Sequence, residues 1–350
     1  MTIFSETGMK RRSFLAGTGA ALATPFLTRS ARSQSKQLIL PTYGGSYQEM
    51  IQAAYTDPFT QETGVEVIFS GVPDFARLKA QVTAGNVEWD VFEAGGAWFP
   101  AGSKEGLFEP LDPGIITETD LIIGENKDYA PFYDTPYGIA WNSGKYDGSA
   151  VPRSCAEFWD VDRFPGTRSL RGRADFVLEI ALVADGVDPA DLYPLDLDRA
   201  FAALERLKPS IPKWAESTSQ LVTLLTANEV DYDYVPNGRV RATEDTATPL
   251  AISMDQAFIS HEYIGVVKGT PRRDTAMEFV AFALRPDRQA AFSELISYLP
   301  GNRKALDLVS EDAKKWLPDM TTGKHIVQND DWWAAEFAST QQRFQEFLLL

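Results

Sequence analysis

The chain has 350 residues, 44% of them hydrophobic and 23% charged, which predicts two globular domains with sizeable cores. Its 49 acidic residues outnumber its 33 Lys and Arg, and the net charge of -16 argues against a nucleic-acid partner. One cysteine and two histidines argue against a structural zinc site, an iron–sulfur cluster or a disulfide framework. We expect no metal and no cofactor.

Residues 1–33 have the features of an export signal. The twin-arginine run Arg11-Arg12 precedes a modestly apolar stretch at residues 16–27, and small residues near position 33 suit a signal peptidase. A membrane anchor would need about 20 apolar residues, and Gly17, Gly19 and Pro25 interrupt this stretch before that length. We therefore expect a twin-arginine signal peptide and a soluble product exported already folded to the periplasm.

Alternating strand and helix patterns follow the signal. Residues 36–40, 65–69 and 90–93 predict strands, and residues 46–55 and 74–84 predict helices. Ser46 and Glu49 match a capping box, so Ser46 is either structural or a ligand contact. Strands separated by helices of this length indicate a mainly parallel sheet covered on both faces.

A second block of the same kind begins near residue 136. It predicts strands at residues 138–142, 230–235, 249–254 and 263–267, and helices at residues 174–184, 199–207, 221–227, 274–284 and 287–298. The fold class is therefore α/β, in two halves between which the chain crosses more than once.

Motifs of catalysis are missing from the sequence. It contains no G-x-S-x-G elbow and no phosphate-binding loop outside the signal, and neither His261 nor His325 has a histidine four residues away. We expect no catalytic residues. A secreted hydrolase acting through cleft carboxylates remains the rival interpretation of the signal and the acidic composition.

Polar and glycine-rich segments follow the predicted strands, where open α/β sheets bind ligands. In the first half they place Tyr43, Gly45, Tyr47, Gly96 and Trp98 at strand ends. Backbone N–H groups beside such glycines can approach a ligand, although a plain turn uses the same residues.

The second half offers four further candidates: Tyr234 on a predicted strand, Asp255 and Gln256 directly after another, and Glu262 before the next. A solvated loop explains either acid equally well.

Several short segments, in this order, resemble periplasmic solute-binding proteins of ABC importers, in the branch that includes polyamine, opine and amino-acid-like ligand binders. They are residues 59–67 (FTQETGVEV), 89–91 (WDV), 137–142 (YGIAWN), 158–160 (FWD), 164–166 (FPG), 182–187 (LVADGV), 237–239 (NGR), 255–256 (DQ) and 265–269 (GVVKG). The resemblance covers nearly the whole mature chain.

This resemblance implies a type II binding protein with two lobes, each a mainly parallel sheet flanked by helices, joined by hinge crossovers. Lobe 1 would take residues 36–137 and 263–299, and lobe 2 residues 138–262 and 300–350. The lobes would close on a ligand, and the closed form would dock on the transmembrane subunits of an ABC permease. We expect a monomer.

The resemblance also implies ligand roles. Asn237 and Arg239 would lie in the cleft, with Arg239 on a ligand carboxylate, and Asp255 would face an ammonium group. Tyr43, Trp98, Tyr234 and Tyr298 fall near aromatic positions of the family, and Glu262 near an acidic one.

A basic residue at position 239 would repel a second ammonium group, so we favour an amino-acid-like or opine-like zwitterion as the ligand. A polyamine such as putrescine or spermidine is the alternative. Iron-binding members of the wider superfamily commonly use adjacent tyrosines. This sequence contains no Tyr-Tyr pair, which argues against iron binding.

Overall fold

A computed structural model of the chain describes residues 37–122 and 126–350. The predicted signal peptide, residues 1–33, lies outside the described residues.

The strands of the described residues are numbered in chain order. They are β1 (Gln37–Leu40), β2 (Glu66–Phe69), β3 (Val91–Gly95), β4 (Ala130–Asn142), β5 (Arg168–Arg171), β6 (Lys213–Ala215), β7 (Tyr232–Pro236), β8 (Leu250–Val266), β9 (Leu299–Pro300) and β10 (Ile326–Val327).

The α-helices are numbered in the same way. They are α1 (Gly45–Ile51), α2 (Asp57–Thr63), α3 (Phe75–Ala84), α4 (Trp98–Lys104), α5 (Cys155–Trp159), α6 (Ala174–Ala184), α7 (Leu197–Leu207), α8 (Thr218–Thr226), α9 (Asn237–Arg241), α10 (Arg273–Ala283), α11 (Pro286–Ile296), α12 (Glu311–Lys314) and α13 (Asp330–Leu349). One wider turn, Gln52–Thr56, joins α1 to α2 without a break.

Side-chain caps explain where several helices begin. The Asp74 carboxylate accepts the backbone N–H of Arg77 at 2.6 Å at the start of α3, and the Ser154 hydroxyl accepts the N–H of Glu157 at 3.2 Å at the start of α5. The capping box predicted at Ser46 is wrong, because α1 already begins at Gly45 and has no side-chain cap.

The strands of the described residues form two sheets, one of β1 and β2 and one of the other eight strands, and the larger sheet contains both parallel and antiparallel pairs. β1 pairs in parallel with β2, and β5 pairs in parallel with both β6 and β7. The two longest strands, β4 and β8, pair antiparallel with each other, and β3 also joins β8 antiparallel. The predicted α/β class is confirmed, and β4 and β8 connect its two halves.

β8 differs from the prediction, which placed two strands around a loop at Asp255 and Gln256. The strand runs unbroken for 17 residues, but its pairing with β4 jumps. Tyr137 lies opposite Phe258 whereas Ile139 lies opposite Ser253, so β8 bulges between these two pairs. The bulge accommodates the polar residues that suggested a loop.

Separate apolar clusters lie on either side of the paired strands β4 and β8, which connect the two halves. The first contains Leu38, Tyr55, Phe59, Phe279 and Phe292, among others. The second contains Phe158, Leu178, Phe201, Tyr234 and Phe344, among others. β4 contributes to both, since Phe132 lies in the first cluster and Trp141 in the second.

The C-terminal helix α13 also contacts both halves. It packs against α4 on one side and α6 on the other. At its start, the Tyr263 hydroxyl donates to Asp330 Oδ2 at 2.9 Å, and farther along Trp333 Nε1 donates to the buried Glu179 of α6 at 2.5 Å. The helix therefore forms part of the connection between the halves, beside β4 and β8.

Candidate functional site

A cavity of about 660 Å³ lies where the chain leaves β1, β3 and β5 and meets α9, α13 and the two crossing strands. This volume is typical of a small-molecule site. Seven of the predicted ligand residues line the cavity: Tyr43, Tyr47, Gly96, Trp98, Arg239, Glu262 and Tyr298.

Asp255 and Gln256 do not line this cavity. The Asp255 side chain is 63% exposed on the β8 bulge, and its Oδ2 lies 3.6 Å from Arg153 Nη1. Gln256 Oε1 instead accepts the backbone N–H of Cys155 at 2.7 Å. The structure therefore places neither side chain where a ligand in the cavity would meet it, contrary to the role that we predicted for Asp255.

Gly45, Tyr234 and Asn237 also lie outside the lining residues. Gly45 is an exposed residue at the start of α1, with a φ of 56° that favours glycine. Tyr234 is fully buried, and its hydroxyl lies 3.1 Å from Cys155 Sγ. Asn237 is buried as well, and its side-chain amide donates to the Trp316 carbonyl at 2.8 Å. These three residues have structural roles here.

Asn237 and the glycine after it position Arg239. Because the Asn237 side chain is held by backbone carbonyls, the start of α9 is fixed against α11 and the segment that follows it. A Cβ at Gly238 would lie 2.1 Å from the Ile296 carbonyl oxygen, closer than any side chain allows. The Asn-Gly pair thus brings the helix close enough for Arg239 to reach the cavity.

Three arginines line the cavity: Arg171, Arg173 and Arg239. Arg239 neighbours the Tyr298 hydroxyl; burial raises the pKa of Tyr298, and the positive charge of Arg239 opposes this shift. Arg173 is paired with Asp175 at 2.6 Å, whereas Arg171 has a buried Nε without a hydrogen-bond partner among the described residues. Arg239 and Arg171 are therefore the guanidinium groups available to a ligand carboxylate.

Two acidic groups, Glu93 and Glu262, lie near Tyr47. The Tyr47 hydroxyl donates to Glu93 Oε2 at 2.9 Å and lies 2.7 Å from the Tyr133 hydroxyl. Burial raises the pKa of Glu93 to about 8, although the Tyr47 hydrogen bond opposes the shift. Burial, together with the charge of Glu93, also holds the pKa of Glu262 well above its usual range. A cation beside these carboxyl groups would favour their ionised forms and lower both pKa values.

Aromatic rings also line the cavity. Trp98 stacks on Phe75 with their centroids 6.1 Å apart, and Tyr43 meets Tyr47 edge to face at 5.6 Å. Tyr43 remains 43% exposed, so its ring is available at the cavity surface. Such rings can pack against methylene groups and attract an ammonium group.

Arg171 and Arg173 escaped the sequence analysis although a signal for them existed. Arg171 is the last residue of β5, a strand that pairs in parallel, and Arg173 follows it, so both occupy a strand end where α/β sheets bind ligands. Immediately beyond them, Phe176 has a φ of 75°, a strained conformation for a residue with a side chain. Phe176 packs against Tyr137, which lines the cavity.

Two further properties bear on function. Within the described ranges no group of three or more His, Cys, Asp or Glu side chains is arranged to hold a metal ion. Among the helices in residues 37–122 and 126–350, none has both the length and the apolar character needed to cross a bilayer.

Comparison with known proteins agrees with this geometry. The family model for bacterial extracellular solute-binding proteins matches residues 54–322. The γ-aminobutyric acid-binding protein of Pseudomonas aeruginosa is 35% identical over 90% of this chain and 92% of its own. The spermidine/putrescine-binding periplasmic protein of Salmonella typhimurium is 24% identical over 82% of this chain and 86% of its own.

Solved structures give the same result. The Atu4243-GABA receptor superposes with a TM-score of 0.82 at 32% identity, over 89% of this chain and 97% of its own. The binding protein AgtB of A. tumefaciens R10, solved with agropinic acid, superposes with a TM-score of 0.77 at 31% identity, over 90% of this chain and 99% of its own. The predicted two-lobe type II fold is confirmed, and the chain belongs to the bacterial extracellular solute-binding proteins.

Proposed function

We propose that this chain captures a small zwitterion in its cavity and delivers it to an ABC permease. The ligand's ammonium group would lie at Glu262 and its carboxylate at Arg239, with Tyr43, Trp98 and Tyr298 around the aliphatic part. The observation that carries this proposal is the presence, in one cavity, of two guanidinium groups without acidic partners among the described residues, Arg171 and Arg239, and of one carboxyl group, Glu262, with a buried oxygen that has no hydrogen-bond partner.

The names of the relatives support a zwitterionic ligand. The P. aeruginosa relative is a γ-aminobutyric acid-binding protein, and AgtB was solved with agropinic acid. An amino-acid-like or opine-like compound would present both charges to the cavity.

A polyamine is the second candidate, because the acidic residues Glu262 and Glu216 both line the cavity and several curated relatives bind spermidine or putrescine. It is disfavoured by Arg171 and Arg239, since a second ammonium group near either guanidinium would be repelled.

Ligand class can be tested by thermal shift, followed by calorimetry. The mature protein is screened against 4-aminobutyrate, α-amino acids, opines and putrescine. A ligand at 100 times its dissociation constant stabilises the folded state by about 2.7 kcal/mol, which is readily detected. Stabilisation by putrescine alone would overturn the zwitterion proposal.

We further propose that binding involves no chemical turnover, since the family consists of transport proteins. Mass spectrometry after overnight incubation should return the ligand unchanged. A product that accumulates in proportion to protein concentration would favour the hydrolase alternative instead.

The lobes would move about β4 and β8, with boundaries near residues 137 and 262. Lobe 1 comprises residues 36–137 and 263–299, and lobe 2 comprises residues 138–262 and 300–350. The start of α13 contacts Tyr263 of lobe 1 as well, so this helix would bend or tilt as the cleft closes. The closed monomer is the form that we expect the permease to recognise.

Export through the twin-arginine pathway is proposed from the sequence of residues 1–33. Replacing both Arg11 and Arg12 by Lys should leave the precursor in the cytoplasm, as fractionation and immunoblotting would reveal. Unchanged delivery to the periplasm would contradict this route.

A further inference from the structure

The strongest unexplained feature of the cavity is that Glu262, which lines it, has a second carboxyl group, the fully buried Glu93, close behind it where one ammonium group is expected. Glu262 lies directly opposite Gly95 in the β3–β8 pair, and Glu93 lies directly opposite Ile264. Glu93 and Glu262 are therefore diagonal neighbours on the same face of the sheet, within reach of each other's side chains.

Each of these carboxyl groups has an oxygen without a partner. Glu93 Oε1 and Glu262 Oε2 are buried and accept no hydrogen bond from any described residue. A Cβ at Gly95 would lie 2.8 Å from Glu262 Oε1, so the Glu262 carboxyl occupies the space that this glycine leaves open. Two ionised carboxylates held together in this way would repel each other strongly.

The surrounding groups do not neutralise this pair. Six tyrosines lie around the pair: Tyr43, Tyr47 and Tyr55 in and near α1, and Tyr133, Tyr137 and Tyr298 in β4 or next to β9. Burial raises the pKa of each of these tyrosines, so all six are uncharged at neutral pH.

The charged groups around the pair are mostly paired with each other. The charge of Arg173 acts on Glu262, but Arg173 is bound to Asp175, while Arg171 and Arg239 line the same cavity. On the crossing strands, His261 Nδ1 lies 2.7 Å from Asp134 Oδ1.

Two further groups near the pair, His261 and Asp330, also have shifted pKa values. Burial lowers the pKa of His261, but the hydrogen bond and charge of Asp134 outweigh it and leave the pKa raised. Burial raises the pKa of Asp330 to about 6, against the opposing charge of His261. Any test must therefore assign a released proton to a particular residue.

We propose that Glu93 and Glu262 share one proton when the cleft is empty, and that a bound ammonium group replaces this proton, so that binding releases one proton. The O–H bond of the protonated carboxyl breaks and the proton leaves to solvent through the cleft mouth. The ligand's N–H groups then donate to the Glu262 carboxylate, and the positive charge of the ligand stabilises the ionised Glu93 behind it. This proposal rests on the proposed function, in that it requires an ammonium group at Glu262.

The proton is counted by calorimetry with 4-aminobutyrate at pH 7 in buffers of small and large ionisation enthalpy, such as phosphate and Tris. The amine of the ligand stays protonated at this pH, because its pKa is about 10. The observed enthalpy should vary with the ionisation enthalpy of the buffer with a slope that corresponds to about one proton released. Affinity should also weaken by up to tenfold per pH unit below about pH 8.

Glu93→Gln assigns the proton, because the amide oxygen can still accept the Tyr47 hydroxyl. The proton count should fall to near zero in this variant, and affinity should become nearly independent of pH between 6 and 9. Glu205→Gln, at an exposed position of α7, is the matched control and should behave like the wild type. Binding of 4-aminobutyrate without proton release would overturn the inference and leave the proposed function intact.

A measurement without ligand separates the two proposals completely. In protein labelled with ¹³C at glutamate Cδ, a carboxyl resonance that is missing from Glu93→Gln should titrate near pH 8; the resonance of Glu179, which should also titrate near pH 8, remains in this variant. If the resonance lost in Glu93→Gln titrates below pH 6 in the wild type, the shared proton does not exist, whatever ligand the protein binds. If no zwitterion or amine binds, the proposed function fails and this titration alone decides the carboxyl pair.

Discussion

Replacement of Arg239 by alanine tests the placement of the ligand most directly. Arg239 is partly buried, points into the cavity, and forms no ion pair with a described acidic residue, so a ligand carboxylate would be its charge partner. Removing one partner of a buried charge pair costs about 2 to 5 kcal/mol. Because Arg239 keeps some contact with solvent, we expect the lower part of this range, about 2 to 3 kcal/mol. That corresponds to a loss of affinity of about 30- to 150-fold.

The assay is titration calorimetry of Arg239→Ala with 4-aminobutyrate and, separately, with putrescine. A zwitterion should lose affinity as stated, whereas putrescine should bind equally well or better once the like charge is removed. Asp255→Ala is the matched control, because this side chain is exposed and meets only Arg153. Its affinity for 4-aminobutyrate should stay within threefold of the wild type. If Asp255→Ala weakens binding and Arg239→Ala does not, the placement of the site is wrong.

Three further predictions concern the scaffold. Gly238→Ala should lower the free energy of unfolding by about 1 to 3 kcal/mol in urea titrations, because the added Cβ would overlap the Ile296 carbonyl oxygen. Gly172→Ala is the control and should be nearly neutral, because the nearest atom to a Cβ added there lies 3.7 Å away. Burial raises the pKa of Glu179 to about 8 in the folded state, so the free energy of unfolding of the wild type should fall by up to about 5 kcal/mol as the pH rises from 4.5 to 8. Glu179→Gln should flatten this dependence. If the curves of unfolding free energy against pH are parallel for the two proteins, the prediction is wrong. Small-angle scattering should give a smaller radius of gyration at saturating ligand, and an unchanged profile would count against lobe closure.

Short local patterns in the sequence were enough to predict many of the helices. The predicted helices at residues 274–284 and 287–298 correspond to α10 (Arg273–Ala283) and α11 (Pro286–Ile296). Proline fits the first turn of α11, because its missing N–H has no partner there in any helix. Information about these elements lies within a few residues of each boundary, which is why a single sequence reveals it.

The crossing strands could not be predicted in the same way. β4 contains Pro131 and Pro136, which normally argue against a central strand, and β8 contains a polar bulge. Both strands persist because they pair with each other over most of their length, an arrangement between residues more than 100 positions apart. No local pattern encodes such a pairing.

The difference between local patterns and long-range pairing also explains why some of the predicted ligand residues line the cavity and others do not. Tyr43, Tyr47 and Trp98 follow strands whose ends meet, so position along the chain was sufficient to place them at the cavity. Asp255 also follows an apolar run, but the bulge turns its side chain to solvent, and residue spacing contains no information about that direction.

Charge balance in the cavity gives a physical reason for selecting a ligand with two opposite ends. Arg173 and Asp175 neutralise each other, whereas Arg239 and Glu262, which both line the cavity, have no such partner among the described residues. We expect a singly charged molecule to pair with one of these two groups and leave the other desolvated without a partner, at a cost comparable to the gain. A zwitterion of matching length would satisfy both groups at once. Both residues fall in lobe 2 as divided above, so a substitution at either should weaken binding of the zwitterion, and closure would follow only from further contacts that the ligand makes with lobe 1.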